Sequence, residues 1–180
     1  MTLLLGMRYK DQRIGILIDV QNLYHSAKHL YNSRVNYREL IKYLANSRPL
    51  IRVLGYVVRS EGLTEGKTEA AKSESSFFEA LEKAGAELRI KDLQIYPGGL
   101  KKADWDVGLA VDAIRMASFL DVIILVTGDG DFLPLVDYLK WGLGRQVEVA
   151  AFSRSASAKL KEAADLFINI EEIPRILIRK

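Results

Sequence analysis

Cysteine is absent from the 180 residues of the chain. Its absence excludes disulfide frameworks, cysteine-type zinc fingers, iron–sulfur clusters and thiol nucleophiles, and it fits a reducing compartment. Histidine is scarce, with His25 and His29 alone. A metal site here is therefore expected to consist of carboxylates, which select hard cations such as Mg²⁺ or Mn²⁺ over zinc. Long apolar runs are missing too. Val122–Val126 and its like have strand length, far short of the roughly 20 residues that span a bilayer, so no membrane helix is expected. The N-terminus, MTLLLGMRYKDQR, has no charged stretch before its apolar patch and no cleavage-site pattern. It does not read as a signal peptide, and a cytoplasmic location is expected.

What is present suits a globular domain: 49% hydrophobic and 27% charged residues, enough for one core burying about 70% of the unfolded surface. The net charge is only +3, yet residues 1–60 hold ten Lys/Arg against three Asp/Glu. A basic first third suits a polyanionic partner such as nucleic acid, with charge scattered over exposed faces as the plainer alternative.

Hydrophobic periodicity predicts alternating strands and helices, with no internal repeat. Arg13–Asp19 is a short apolar run ending in a carboxylate, followed by Leu23, Ala27 and Leu30 at helical spacing. Asn36 and Glu39 form an Asn variant of a capping box ahead of Leu40, Ile41 and Leu44, and Pro49 marks the exit into a strand, Ile51–Val58. Ser60–Ser73 is polar and reads as a loop before a helix, Phe77–Ala84, that Gly85 terminates. A strand Ala86–Lys91, a connection Asp92–Ala103 with room for a small hairpin, a long helix Asp104–Phe119 and a central strand Asp121–Thr127 follow. Helix Asp131–Trp141, strand Gln146–Ala151, helix Ala156–Ala164 and strand Leu166–Ile170 complete the alternation, and Arg175–Lys180 is a basic tail. The expected organisation is an extension (1–12), one domain (13–170) and a C-terminal tail (171–180). The expected fold is α/β, a three-layer α/β/α sandwich on a mainly parallel sheet, because right-handed crossovers place helices on both faces.

In such sheets ligands sit beyond the carboxyl ends of the strands, where strand order reverses. Asp19 ends the first strand, and Asp129 and Asp131 follow the strand Asp121–Thr127. Asp104 and Asp106 open the long helix, whose start is expected at the opposite edge unless the excursion over residues 96–102 carries the chain back. If it does, Asp19, Asp106 and Asp129 or Asp131 converge on an oxygen-rich site for one or two divalent cations. Asp104 is then turned away, since residues two apart on a helix point about 200° from each other. Plainer roles compete. Asp131, three residues before Pro134, and Asp104 are both fit to cap a helix, and Asp112 is spaced for a surface ion pair with Arg115. Asp19 has the stronger functional case, because an acid finishing a buried strand carries a desolvation cost that cations or hydrogen bonds must offset. His25 and His29 lie one turn apart with no third ligand beside them. Tyr24, Tyr37, Trp105 and Trp141 suit either base stacking or core packing.

The segments Ile18–Asn22, Lys102–Ala113 and Thr127–Phe132, in that order and spacing, resemble the NYN domain, specifically its LabA-like branch. The similarity runs from about Arg13 to Ile170 and includes Ala163–Phe167. NYN domains resemble PIN-like nucleases, so the resemblance implies a PIN-like fold and a metal-dependent ribonuclease site in which acidic groups hold Mg²⁺ or Mn²⁺. By residue, Asp19 and Asn22 carry the first motif, Asp106 with Asp112 the second, and Asp129 and Asp131 the third, with Asn22 joining the pocket. For the further acid that some PIN-like enzymes draw from an intermediate helix, Glu74 and Glu79 are the nearest candidates and match poorly.

The reaction so implied is hydrolysis of RNA phosphodiester bonds, with single-stranded RNA as the partner. Lys101, Lys102 and Arg154 are placed to line its path, the last beside a helix N-terminus; solvated surface is the plainer reading of all three. A function of another class is a non-catalytic RNA-binding or regulatory module that keeps the acidic pocket. Other enzymes fit less well. A phosphatase of the haloacid dehalogenase type needs a second Asp where Gln21 stands, and a toprim domain needs Glu in place of Asp19. A dinucleotide-binding domain needs glycines between Asp19 and Asn22. Oligomerisation is left open.

Overall fold

The apolar runs pair side by side into one sheet, and the polar connections between them carry the site. The structure, a computed structural model, describes residues 8–59, 69–95, 101–102 and 104–179, and only the backbone of residues 94, 95, 101 and 102. In chain order the elements are β1 (Ile14–Asp19), α1 (Val20–Tyr31), β2 (Ser33–Val35), α2 (Tyr37–Ala45), β3 (Leu50–Arg59), α3 (Glu69–Lys83) and β4 (Glu87–Asp92). Then come β5 (Gln94–Ile95), β6 (Lys101–Lys102), α4 (Asp106–Met116), β7 (Val122–Val126), α5 (Leu133–Asp137), β8 (Gln146–Ala151), α6 (Ala158–Ala163), β9 (Leu166–Asn169) and β10 (Leu177–Arg179). The main sheet has the order β4-β3-β1-β7-β8-β9, with every neighbouring pair parallel. The order reverses between β1 and β7, which makes their carboxyl ends the place for a ligand.

Alternation along the strands divides the interior into two cores. Ile14, Ile16 and Ile18 of β1 pack with Leu23, Leu40 and Leu81 from α1 to α3. Leu17 packs on the other face with Leu109, Val136 and Leu160 from α4 to α6. The expected three layers are thus present. Gly15 lets the second layer come close: a Cβ there would stand 2.4 Å from Leu120 Cδ1. No helix among the described residues is long and apolar enough to cross a membrane.

The amino edge of the sheet is held by paired charges. Arg48 meets fully buried Glu148 at 2.7 Å, and Arg8 meets the same carboxylate at 3.0 Å. Asp121 accepts three hydrogen bonds from Arg13, at 2.8 Å from its backbone N–H and at 2.9 and 2.8 Å from its guanidinium. Those bonds hold the Asp121 carboxyl down at about 2. A carboxylate whose pKa falls on folding stabilises the native state above its unfolded pKa of about 3.9, and that contribution is lost as pH falls through the folded value. Asp121→Asn is therefore expected to lower the urea midpoint at pH 6, with the gap from wild type closing between about pH 4 and pH 2. A gap unchanged across that range would show that ionisation of Asp121 contributes nothing.

Several elements differ from expectation. The start of α4 needs no return excursion: β4 is parallel to β3 and ends at the carboxyl edge, where an ordinary crossover helix begins. The hairpin in the connection is the antiparallel pair β5 and β6, with residues 96–100 and 103 outside the described residues. Residues 60–68 of the expected loop also lie outside them, and the rest of that stretch is helix, since α3 starts at Glu69 in a run of strong helix formers, Glu, Ala, Ala and Lys. The supposed basic tail contains β10, antiparallel to β2, because Ile176 is buried and Leu177 pairs with Val35. That pairing also alters the capping box. Asn36 accepts from the Glu39 N–H at 3.3 Å, but its own N–H donates to Ile176 O at 2.7 Å. The helix expected over Asp131–Trp141 is three pieces: a 3₁₀ turn Gly130–Phe132, α5, and a π turn Tyr138–Gly142 closed by Leu143 N–H donating to Tyr138 O at 3.0 Å.

Candidate metal centre

Asp19 is at once the last residue of β1 and the N-cap of α1. Its Oδ1 accepts the Asn22 N–H at 3.1 Å, and its Oδ2 accepts the Thr127 hydroxyl at 3.2 Å. Burial raises its pKa above the usual carboxylate range, against both hydrogen bonds. Thr127, at the end of β7, is fully buried, and its Oγ1 also accepts the Asp129 N–H at 3.2 Å. One hydroxyl thereby sets both acids. Asn22 grips the same turn, its Oδ1 accepting the Gly128 N–H at 3.0 Å. Sequence reasoning missed Thr127. The available signal was its place between an apolar strand and the Gly128-Asp129 turn, where an unneeded polar group would be costly.

The turn itself leaves no room for side chains at its glycines. A Cβ on Gly128 would stand 3.1 Å from Ala156 Cα, and one on Gly130 would stand 2.9 Å from Ser157 Oγ. Ser157 N–H donates to Gly128 O at 2.9 Å, which locks the turn onto the start of α6. The cap expected at Asp131 belongs to Asp129, whose Oδ1 accepts the Asp131 N–H at 2.9 Å. The cap thus falls two residues earlier than Pro134 suggests, and Asp131 lies inside the 3₁₀ turn.

α4 is docked by the residue before it. Trp105 donates from Nε1 to Val57 O at 2.9 Å and packs on Tyr56 at 5.5 Å, with Lys91 over its ring. Its ring also covers Gly108, where a Cβ would stand 2.5 Å away. Trp105, not Asp104, occupies the N-cap position, and it makes no side-chain capping bond. This anchorage delivers Asp106 to the carboxyl edge. Two turns on, Asp112 does more than the expected pairing with Arg115, which is long at 3.8 Å. It accepts from Tyr56 at 3.0 Å and Arg89 at 3.2 Å, a tie between α4 and the sheet.

One carboxylate oxygen each from Asp106, Asp129 and Asp131 lies within 4.8 Å of the others. Asp19 stands beside this group rather than in it, with one oxygen engaged by α1 and the other by Thr127. Burial raises the Asp106 pKa first, followed by repulsion from Asp104, Asp129, Asp19 and Asp131. Three crowded oxygen donors with no imidazole among them suit a hard divalent cation, which would offset that repulsion.

Other expected site residues lie elsewhere. Arg154 acts on the Tyr31 hydroxyl, about 18 Å along α1 from Asp19 at 1.5 Å per residue. Lys101 and Lys102 form β6, and their side chains lie outside the described residues. His25 and His29 line a shallow cavity with Lys28 and Asn32, and no group of three metal-ligating side chains includes them among the described residues. Glu79 pairs with Lys83 on α3, and neither it nor Glu74 joins the acid group. Of the aromatics, Tyr37 is buried, Tyr24 and Trp141 are exposed.

The parallel sheet between two helical layers is the expected PIN-like α/β fold, with the three acids beyond its switch point. Residues 13–171 match the NYN domain, and the chain belongs to that family. It is similar to the Low amplitude and bright protein LabA of Synechococcus elongatus, 24% identical over 175 residues, which cover 93% of this chain and 88% of that one. It is also similar to a crystal structure of a protein of unknown function from Vibrio parahaemolyticus. There the TM-score is 0.82 and the identity 29%, over 96% of this chain and 100% of that one.

Proposed function

We infer that this protein is a Mg²⁺- or Mn²⁺-dependent ribonuclease of the cytoplasm, with residues 13–170 as its nuclease domain. The observation that carries this reading is the convergence of Asp106, Asp129 and Asp131 at the switch point of a nuclease-like fold. The three carboxylates would hold the cation, and Asp19, tied to Thr127 and the α1 N-terminus, fixes the turn that presents two of them. When bound, such a cation supplies a water of lowered pKa and charge neutralisation at the scissile phosphate. Asn22 keeps the Gly128 turn against α1 and so shapes the floor on which RNA would lie. Lys101 and Lys102, in the strand leading into α4, are assigned to phosphate contacts there; Arg154 would reach only a longer strand.

Purified protein freed of contaminating nuclease is expected to cut a fluorescent single-stranded RNA in Mg²⁺ or Mn²⁺, to stop in chelator, and to lose the activity as Asp106→Asn. RNA that stays intact with every metal while still binding the protein would replace this reading with that of a non-catalytic RNA-binding module.

A further inference from the structure

A groove of about 330 Å³ runs from the acid group along the outside of α4, with Asp106 and Asp131 among its walls and Ala110, Ile114, Leu135 and Tyr138 further along. From Asp106 to Ile114 it follows about 12 Å of helix. No lysine or arginine lines it among the described residues. We propose that this groove seats an unpaired nucleobase next to the phosphate held at the acid group, with the Tyr138 ring as its stacking platform. The proposal rests on the nuclease reading for the position of the phosphate.

Two of the groove's walls are the carboxylates themselves, so whatever fills it also borders the acid group. A strand whose phosphate sits there has this groove beside it, between α4 and α5, for its next nucleoside. Among the described residues the groove offers apolar walls and an aromatic face and no cationic side chain, which suits a base better than a second phosphate. Tyr138 is prepared for this. It is 49% exposed, and the π turn brings Gly142 beneath it so closely that a Cβ there would stand 2.8 Å from the ring. The ring thus packs against the Gly142 backbone on one side, and π turns of this kind are often found at functional sites. A duplex, whose bases are stacked and paired, could not fill the groove.

The test is binding, read by fluorescence anisotropy in moderate salt with Ca²⁺ present to bridge the carboxylates and a phosphate, the oligomers being checked intact afterwards. The probes are single-stranded oligoadenylate, an abasic oligomer of equal length and charge, and duplex RNA. Wild-type protein is expected to bind oligoadenylate at least about five-fold more tightly than the abasic oligomer, the lower end of what one base–aromatic stack contributes. Tyr138→Ala should erase that preference, Tyr138→Phe should keep it, and Gly142→Ala, which retains the aromatic but displaces it, should reduce it. Equal affinity for the abasic oligomer, or an unchanged preference in Tyr138→Ala, overturns the proposal. So does a Tyr138→Ala variant that loses self-association in sedimentation while binding oligoadenylate normally, since the groove would then belong to a second copy of the chain. Base-dependent binding without cleavage leaves the groove standing and removes the nuclease; cleavage without base preference does the reverse.

Discussion

Asp129→Asn is expected to reduce cation-dependent cleavage by about two orders of magnitude or more while the melting temperature in chelator stays level or rises. The loss has the size seen when one preorganised charged or polar group is taken from an active site. The stability follows from what asparagine keeps. Its side-chain oxygen can still accept the Asp131 N–H, now made at 2.9 Å, so the 3₁₀ turn retains its cap. What disappears is one negative charge among Asp19, Asp106 and Asp131, and with it part of their repulsion. Asp129→Ala removes cap and charge together and should cost about 0.5–2 kcal/mol where the Asn variant does not. Thermal denaturation in chelator, run beside cleavage assays, separates the two effects. An Asn variant as destabilised as the Ala variant would mean that the carboxylate serves the fold rather than a cation.

Thr127→Val should be the most damaging change of a residue that touches no substrate. Valine matches threonine in shape, so packing survives, but Asp19 Oδ2 and the Asp129 N–H, both half-buried, lose their partner on fully buried Thr127. A buried polar group left unsatisfied costs about 1–3 kcal/mol, and here a raised-pKa carboxylate is one of the two. Urea unfolding should show a lower midpoint with an unchanged slope, and cleavage should fall because the turn bearing Asp129 and Asp131 loses its register with β1. Thr127→Ser, which restores the hydroxyl, should recover most of both. A valine variant with wild-type stability and activity would remove the hydroxyl from the site's construction.

The strands were legible where an apolar run stood between polar ends, as in Ile14–Asp19 and Val122–Val126, because burial on both faces leaves no position for a polar residue. Asp19, Asp129 and Asp131 were legible because they stand at or just past the ends of those runs. What stayed hidden depends on distant partners. β2 and β10 are three residues each and form only because they meet, and no local pattern announces that. Whether Asp129 or Asp131 caps the turn depends on one 3₁₀ turn, to which the nearby Pro134 is indifferent. Thr127 gains its role from Asp19, and Asp112 from Tyr56 and Arg89, contacts that spacing along α4 cannot suggest. The placement of α4 follows from topology: once β4 is parallel to β3, its helix starts beside the acids.

The pairing of β1 with β7 also fixes when in the protein's life the acid group can exist. Asp19 and Thr127 are 108 residues apart in the chain, and β1 already has β3 as its neighbour on the other side. Synthesis proceeds from the N-terminus, and pairing across so long a separation is slow because the loop must close before any contact offsets its entropy. On the ribosome, β1, β3 and β4 can assemble while Asp129 and Asp131 are still unmade. Under the nuclease reading, a chain still being made cannot complete its acid group on the message that encodes it, because Asp129 and Asp131 join Asp106 only when the last third of the polypeptide has emerged.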